Sequence, residues 1–444
     1  MKIKEFKLEN IGPFKSLSVP LAPTVEFQSN VTVLIGNNGA GKTSILRSLA
    51  ISLSWFVARL RSEKGTGNTV SEEKIRNGAN SAAISLTVAD QGELCDWVLA
   101  KTRVGRKADQ SSQLNELTKL ADVYRKNLSA NERTSFPVIA FYPVERVVLD
   151  IPLKIKEKHT FQQLDGYDNS LNQGVDFRRF FEWFREREDS ENESSIPSEV
   201  LEQLYKTFGE EKTVWDKLQK LGISARDRQL TAVRTAISNF MPGFSNLKVR
   251  RKPRLYMSID KGKQSLNVSQ LSQGEKSLMA LVGDIARRLA MMNPELSNPL
   301  HGEGIVMIDE VDMHLHPQWA REIVKRLTAT FPNCQFLLTT HSPLVISDSK
   351  NILVYALNNG ELVTVPPLYG QDVNSVLLDV MDTHIRNAAV ATHLNDLLDL
   401  IQDRKLVQAR KLLGDLENDL PSQNLELAKA KILLRKEEAR LAKN

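Results

Sequence analysis

Apolar and polar positions along this chain follow two periods, one near 2 and one near 3.6, and they mark out its elements in order. Runs at residues 3–8, 31–35, 83–88, 97–102 and 138–142 predict strands, the second and last being almost wholly apolar as in a buried parallel sheet. After the second run, Ile45, Leu46, Leu49, Leu53, Phe56, Val57 and Leu60 fall on one helical face. Residues 105–133 are polar and predict a surface-borne helical segment. From 155 to 245 the chain turns charged and helical, with Phe177, Phe180, Phe181 and Phe184 as a core stripe and a loop predicted at 190–199. Strands return from 246. Three helical stripes then lie beyond 369: Leu394, Leu397, Leu398, Ile401; Leu406, Ala409, Leu412, Leu413, Leu416; and Leu425, Ala428, Ile432, Leu433. A Pro421-Ser422 start signal precedes the last of them.

The chemistry sits where strands give way to helices. GNNGAGKTS, spanning Gly36, Asn37, Asn38, Gly39, Ala40, Gly41, Lys42, Thr43 and Ser44, follows a strand and opens a helix, so it reads as a P-loop for ATP. Its glycines let backbone N–H groups curl around phosphates, Lys42 reaches the β and γ oxygens, and the Thr43 hydroxyl is a ligand for Mg2+. GIVMIDE ends an apolar strand on two carboxylates: Asp309 is placed to hold Mg2+ and Glu310 to orient the attacking water. The strand of QFLLTTHSP delivers Thr340, His341 and Ser342 to the same sheet edge, where His341 can sense the γ-phosphate. LSQGEKS matches the ABC signature and opens a helix bearing Leu278, Leu281, Val282, Ile285, Ala286 and Leu289 on one face. Ser272 and Glu275 have capping-box spacing, and with Gly274 they form an anion site expected to serve a partner's γ-phosphate.

The fold class expected is therefore α/β, an ABC-type P-loop ATPase with a helical insert and an α-helical carboxy-terminal module. Residues 1–154 and 246–368 form the two parts of the ATPase, 155–245 the insert and 369–444 the module. Composition narrows the class little further. At 444 residues, 41% apolar, the chain can bury a large core, and its net charge of +5 permits a DNA contact without requiring one. No apolar stretch approaches the roughly 20 residues of a bilayer span, so no membrane partner and a cytoplasmic location are expected. Cys95 and Cys334 fit neither a disulfide framework nor a metal spacing.

The order of these motifs resembles that of SMC, RecF and Rad50-like ABC ATPases. That resemblance implies a head-to-tail nucleotide-sandwich dimer, with Glu310 as catalytic base, Asp312 in the loop crossing the interface and His341 as the switch histidine. It also implies a Mg2+-sensing glutamine, for which Gln162, Gln163 and Gln173 are the candidates. The insert is too short for a long coiled-coil arm, and no heptad run appears in it. VIAFYPVER (138–146), DFRRFFEWFRERED (176–189) and DEVDMHLHPQW (309–319) resemble the PtuA-like ATPases of Septu and retron anti-phage systems. This closer resemblance implies an ATP-dependent sensor and scaffold controlling a PtuB-like HNH nuclease, with a retron reverse transcriptase and its RNA/DNA as further partners. The alternative is a RecF-like repair ATPase that binds DNA when ATP is bound. A transporter ATPase would suit the signature but not the companion segments.

Other features keep two readings. His314 and His316 fit an interface loop better than a metal pair. Lys248, Arg250, Arg251, Lys252 and Arg254, interleaved with Leu247, Val249 and Leu255, suit a half-exposed strand or a phosphate contact. Arg146 could meet a phosphate, a neighbouring subunit or a salt-bridge partner. The carboxy-terminal module is either a self-contained bundle or a docking surface.

Overall fold

The computed structural model describes residues 1–107, 109–145, 161–172, 177–194, 226–358, 360–381, 383, 387–421 and 423–441. They form two compact units, Met1–Gln371 and Asp372–Asn444.

In the first unit, β1 (Lys2–Ile11), β2 (Phe14–Pro20), β4 (Ser81–Asp90) and β5 (Glu93–Thr102) make an antiparallel sheet in the order β2-β1-β4-β5. A second sheet, in the order β13-β12-β3-β11-β10-β6, holds β3 (Val31–Gly36), β6 (Val138–Tyr142), β10 (Gly304–Ile308), β11 (Cys334–Thr339), β12 (Leu353–Asn358) and β13 (Glu361–Val365). Only the pairing of β13 is antiparallel. Strands β6, β10 and β11 are buried along their whole length, which explains their unbroken apolar runs. Besides Thr339 at its end, Gln335 is the polar exception in β11. Its amide donates to the carbonyls of Ile3 and Ala22 at 2.7 Å each and its oxygen accepts the Ile3 N–H at 2.7 Å, so it ties the two sheets together. The third sheet is β7 (Phe244–Arg250), β8 (Tyr256–Lys261) and β9 (Gln264–Asn267).

Helix α1 (Lys42–Arg61) buries the stripe expected of it, and the Trp97 indole N–H donates to Ser52 at 2.9 Å. Among the described residues of 105–133, the helix runs over α2 (Asn115–Ala130), and it is not merely surface-borne. Leu117, Leu120, Ala121 and Tyr124 are buried, with the Tyr124 ring edge-on to Phe56 at 5.9 Å. Four apolar residues on one face suffice to dock a helix whose other face is charged.

Helix α3 (Phe177–Ser194) buries all four phenylalanines and corrects the loop expected from 190. Arg234, in α4 (Arg228–Phe240), donates to Glu191 at 2.6 Å and to Glu188 at 3.1 Å, which holds the last turns helical; 195–199 lie outside the described residues. Then come α5 (Gln273–Met292), α6 (Pro317–Thr330) and α7 (Pro343–Ser347).

The second unit holds α8 (Val373–Asp379), α9 (Ala388–Gln402), α10 (Leu406–Asp419) and α11 (Leu425–Leu441). Its own core joins Leu394, Leu397 and Ile401 of α9, Ala409, Leu413 and Leu416 of α10, and Leu427, Ala430 and Leu434 of α11. The third predicted stripe is thus on the wrong face: Leu425 and Ile432 are each 67% exposed. Helix α11 carries apolar residues on two faces, and packing against α9 and α10 selects one. Its cap is Asn424, which accepts from the Glu426 and Leu427 N–H groups; Ser422 lies outside the described residues. No helix among the described residues is long and apolar enough to cross a membrane.

Candidate nucleotide site

Parallel pairing of β12, β3, β11, β10 and β6 brings their carboxyl ends to one edge, and the P-loop, Asp309, Glu310 and His341 all follow directly from those ends. Between β3 and α1 the loop turns on left-handed glycines. Gly41 has φ 106°, and a Cβ there would stand 2.5 Å from the Phe14 ring, so only glycine fits. Asn37, Asn38 and Gly39 are exposed, Ala40 and Ser44 half-buried. The Ala40 N–H donates to the Asn37 carbonyl at 3.1 Å, closing the turn.

Lys42 leads α1 back under this loop. Its ammonium donates to the Gly36 carbonyl at 2.7 Å and the Asn37 carbonyl at 3.3 Å, and stands 2.9 Å from His341 Nε2. Burial pushes the Lys42 pKa down, although the carboxylates of Asp309 and Glu310 pull it up. Burial and the Lys42 charge push the His341 pKa below its ordinary value of 6.5, which favours a neutral ring accepting a Lys42 proton through Nε2.

Next to them Thr43 Oγ1 donates to Asp309 Oδ2 at 2.7 Å. Asp309 is 1% exposed, and its other oxygen accepts from Thr339 Oγ1 at 2.6 Å. The same Thr339 hydroxyl accepts the Glu310 backbone N–H at 2.7 Å. That bond steadies Glu310 in a left-handed conformation, φ 45°, which is uncommon outside glycine and concentrates at functional sites. The Thr340 hydroxyl donates to Asp312, holding this loop within its own chain. The sequence reading overlooked Thr339. The signal was the tandem threonine before the histidine, of which one hydroxyl serves each aspartate of DEVD.

The signature residues stand apart from this cluster. Ser272 caps α5: its Oγ accepts the Glu275 N–H at 3.3 Å and its N–H donates to Glu275 Oε2 at 3.0 Å. Lys261 donates to Glu275 at 2.7 Å. A Cβ on Gly274 would lie 2.4 Å from the His314 carbonyl oxygen, so glycine is what lets α5 start against the loop after β10. Among the described residues, no hydrogen bond joins Ser272 to the P-loop of its own chain. His316 caps α6, accepting the Gln318 N–H at 3.3 Å, and no metal-binding cluster of His, Cys, Asp or Glu is found among the described residues.

A second group missed in the sequence joins α5 to β6. Asp284, fully buried, accepts from Tyr142 at 2.9 Å, from Arg287 at 2.7 Å and from Arg288 at 2.7 Å. Tyr142 in turn accepts the Asp309 N–H on its carbonyl at 2.9 Å. Of the glutamines, Gln163 donates to the carbonyls of Thr134 and Met292 at 2.6 and 3.0 Å. Those contacts lie before β6 begins, at the end of the sheet opposite to the one from which Asp309 follows. Gln162 caps a 3-10 turn, while Gln173 and Arg146 lie outside the described residues.

Residues 5–229, about half of the chain, match the family described as AAA domain. The chain belongs to the AAA-domain ATPases. A second AAA-domain family matches residues 129–347. The chain is 35% identical over 403 residues to the Retron Ec83 probable ATPase of Escherichia coli, a match covering 82% of this chain and 73% of that protein. It is 35% identical over 381 residues to the Retron Vc95 probable ATPase of Vibrio cholerae serotype O1 biovar El Tor, covering 80% and 74%. To the Septu protein PtuA of Bacillus thuringiensis it is 22% identical over 402 residues, covering 85% and 84%. It is thus an ATP-binding, ATP-hydrolysing protein of the retron and Septu type.

Proposed function

We propose that this ATPase closes head to tail on a second copy around ATP and Mg2+, and that the closure makes it the sensor and scaffold of an anti-phage defence complex controlling an HNH nuclease. The observation that carries the reading is the Thr43–Asp309 hydrogen bond, which joins P-loop to β10 beside Glu310. The names of the retron and Septu relatives support the defence role.

The donor set fits Mg2+: a hydroxyl and one carboxylate offer hard oxygens, and this ion takes few protein ligands beside phosphates and water. Bound there by Thr43 and Asp309, Mg2+ would neutralise charge on the β and γ oxygens. The protein does the rest. Lys42 exchanges the Gly36 and Asn37 carbonyls for phosphate oxygens, and Glu310 orients water and accepts its proton. His341, 2.9 Å from the Lys42 ammonium, would sense the γ-phosphate that Lys42 holds. The capped start of α5, with no hydrogen bond to its own P-loop among the described residues, suits the phosphate held by another copy.

Glu310→Gln tests the base. ATP binding should persist, turnover should fall by about a hundredfold or more, and ATP should trap a dimer seen by light scattering; hydrolysis at the parental rate would sink the assignment. Mixing Ser272→Arg with Lys42→Ala subunits tests the shared site through recovered activity. The defence role is read separately, from co-purification with a co-expressed HNH nuclease and from phage plating. Protection that survives Lys42→Ala would remove ATP from the mechanism.

A further inference from the structure

The sheet β7-β8-β9 has one face in the core and one outside. Leu247, Val249, Met257 and Ile259 are at most 4% exposed. Alternation puts Lys248 and Arg250 of β7, Tyr256 of β8 and Asn267 of β9 on the other face. Register sets Arg250 opposite Tyr256 and aligns Lys248, Ser258 and Asn267 in one row. The β7–β8 turn adds Lys252 and Arg254, both exposed.

Two neighbouring cations are already committed, Arg251 to Asp189 and Lys261 to Glu275. Lys248, Arg250, Lys252 and Arg254 form no salt bridge among the described residues; Asp260, on the same face, accepts from Asn246 and feels the charges of Lys248 and Arg250 at longer range. Next to them a cavity of about 480 Å3 opens, lined by Arg250, Tyr256, Ser258, Asn267 and Gln270 among others. Arg250 Nε donates to Ser258 Oγ at 3.3 Å in its wall.

A row of four cations with Asp260 as the acid on the same face keeps an excess of positive charge, and that excess calls for a polyanion, since one small anion would use one or two of them. On a strand Lys248 and Arg250 are about 6.8 Å apart, so each can take a different phosphate of an extended chain. The cavity adds what a plain acidic surface would not use, an aromatic ring and several hydroxyl and amide groups beside the cations. A ring for stacking and polar groups for base edges, next to a basic track, is the chemistry that holds a single strand. We propose that the outer face of β7-β8-β9 binds single-stranded nucleic acid, its backbone on Lys248, Arg250, Lys252 and Arg254 and one base in the cavity beside Tyr256.

Fluorescence anisotropy on the full chain tests this, with a labelled strand of about 20 nucleotides as DNA or RNA, the matching duplex, and a poly-glutamate peptide as competitor. Single strands should bind more tightly than duplex or peptide. The slope of log K against log salt should be near −3, at about −0.7 per cation. Arg250→Glu with Lys252→Glu should weaken binding at least tenfold and flatten the slope by about 1.4. Tyr256→Ala should cost about 5- to 100-fold and leave the slope unchanged. A DNA–RNA difference identifies which strand is preferred. Absence of binding at low salt, equal competition by poly-glutamate, or parental affinity in the charge-reversed variant would each overturn the proposal. Thermal melting and ATP binding show that variants are folded; should charge reversal unfold the chain, Arg250→Gln with Lys252→Gln must show the same loss and flattened slope, and unchanged values overturn it. None of these outcomes bears on the hydrolytic assignments.

Discussion

Asp309 directly follows a wholly buried strand, and its two oxygens accept from the hydroxyls of Thr43, in the first turn of α1, and Thr339, at the end of β11. Thr339 spends its hydroxyl on Asp309 and the Glu310 N–H and acts through them, so it is a positioning residue. Thr339→Val should lower kcat by about 10- to 100-fold while Thr339→Ser retains most of it; steady-state kinetics with separate ATP-affinity measurements check this, and an unchanged kcat in the valine variant contradicts it. His341 gives a test by pH. Its folded pKa lies below 6.5, so the unfolded chain binds the extra proton first. The stability it contributes is present above about 6.5 and is lost as pH falls toward the folded pKa. The NMR titration midpoint of the His341 ring, assigned with His341→Gln, should lie below 6.5 and rise in Lys42→Ala, which removes the neighbouring positive charge. A midpoint above 6.5 in the parental protein would refute the neutral ring.

Helix α5 begins at the signature and passes through the core to reach β6. Burial would push Asp284 up in pKa, yet Arg288 and Arg287 hold it below the usual carboxylate range, so the charged network persists inside the protein. Removing one member leaves two buried guanidinium groups without their carboxylate. Asp284→Ala should therefore lose about 3–5 kcal/mol in denaturant unfolding, and a loss below about 1 kcal/mol would show the network to be energetically idle. Its stabilising effect is present above the ordinary carboxylate pKa and fades as pH falls through the lowered folded value. The helix was legible from its apolar repeat. The network was not, because the same period also fits Asp284, Arg287 and Arg288 on a solvated face.

On the scale of the whole molecule, Asp372–Asn444 forms its own compact unit with its own core. Expressed alone, residues 372–444 should be helical by circular dichroism and melt cooperatively, and residues 1–371 should still bind ATP. A non-cooperative fragment would show that the nine-residue core is too small to stand by itself. Truncation also bears on docking: loss of partner recruitment with ATP binding intact would assign recruitment to this unit, and normal recruitment would exclude it.

The chain's linear pattern was enough for the P-loop, the strand ending at Asp309 and the capped signature helix, because each is local: a strand, a turn chemistry and a helix start within about ten residues. It could also place the buried strands, whose apolar runs need no partner to be recognised. What only the tertiary structure decided were choices between two local possibilities. Helix α11 could bury either of two faces, and contact with α9 and α10 chose Leu427, Ala430 and Leu434. The chain at 190–194 could turn, and ion pairing to Arg234, some 40 residues away, kept it helical. Thr339 and Asp284 have ordinary surroundings in sequence, and they matter because parallel pairing and helix packing bring Asp309 and Tyr142 against them. A pattern one residue wide cannot carry a contact whose energy depends on groups from distant segments being dry and aligned together.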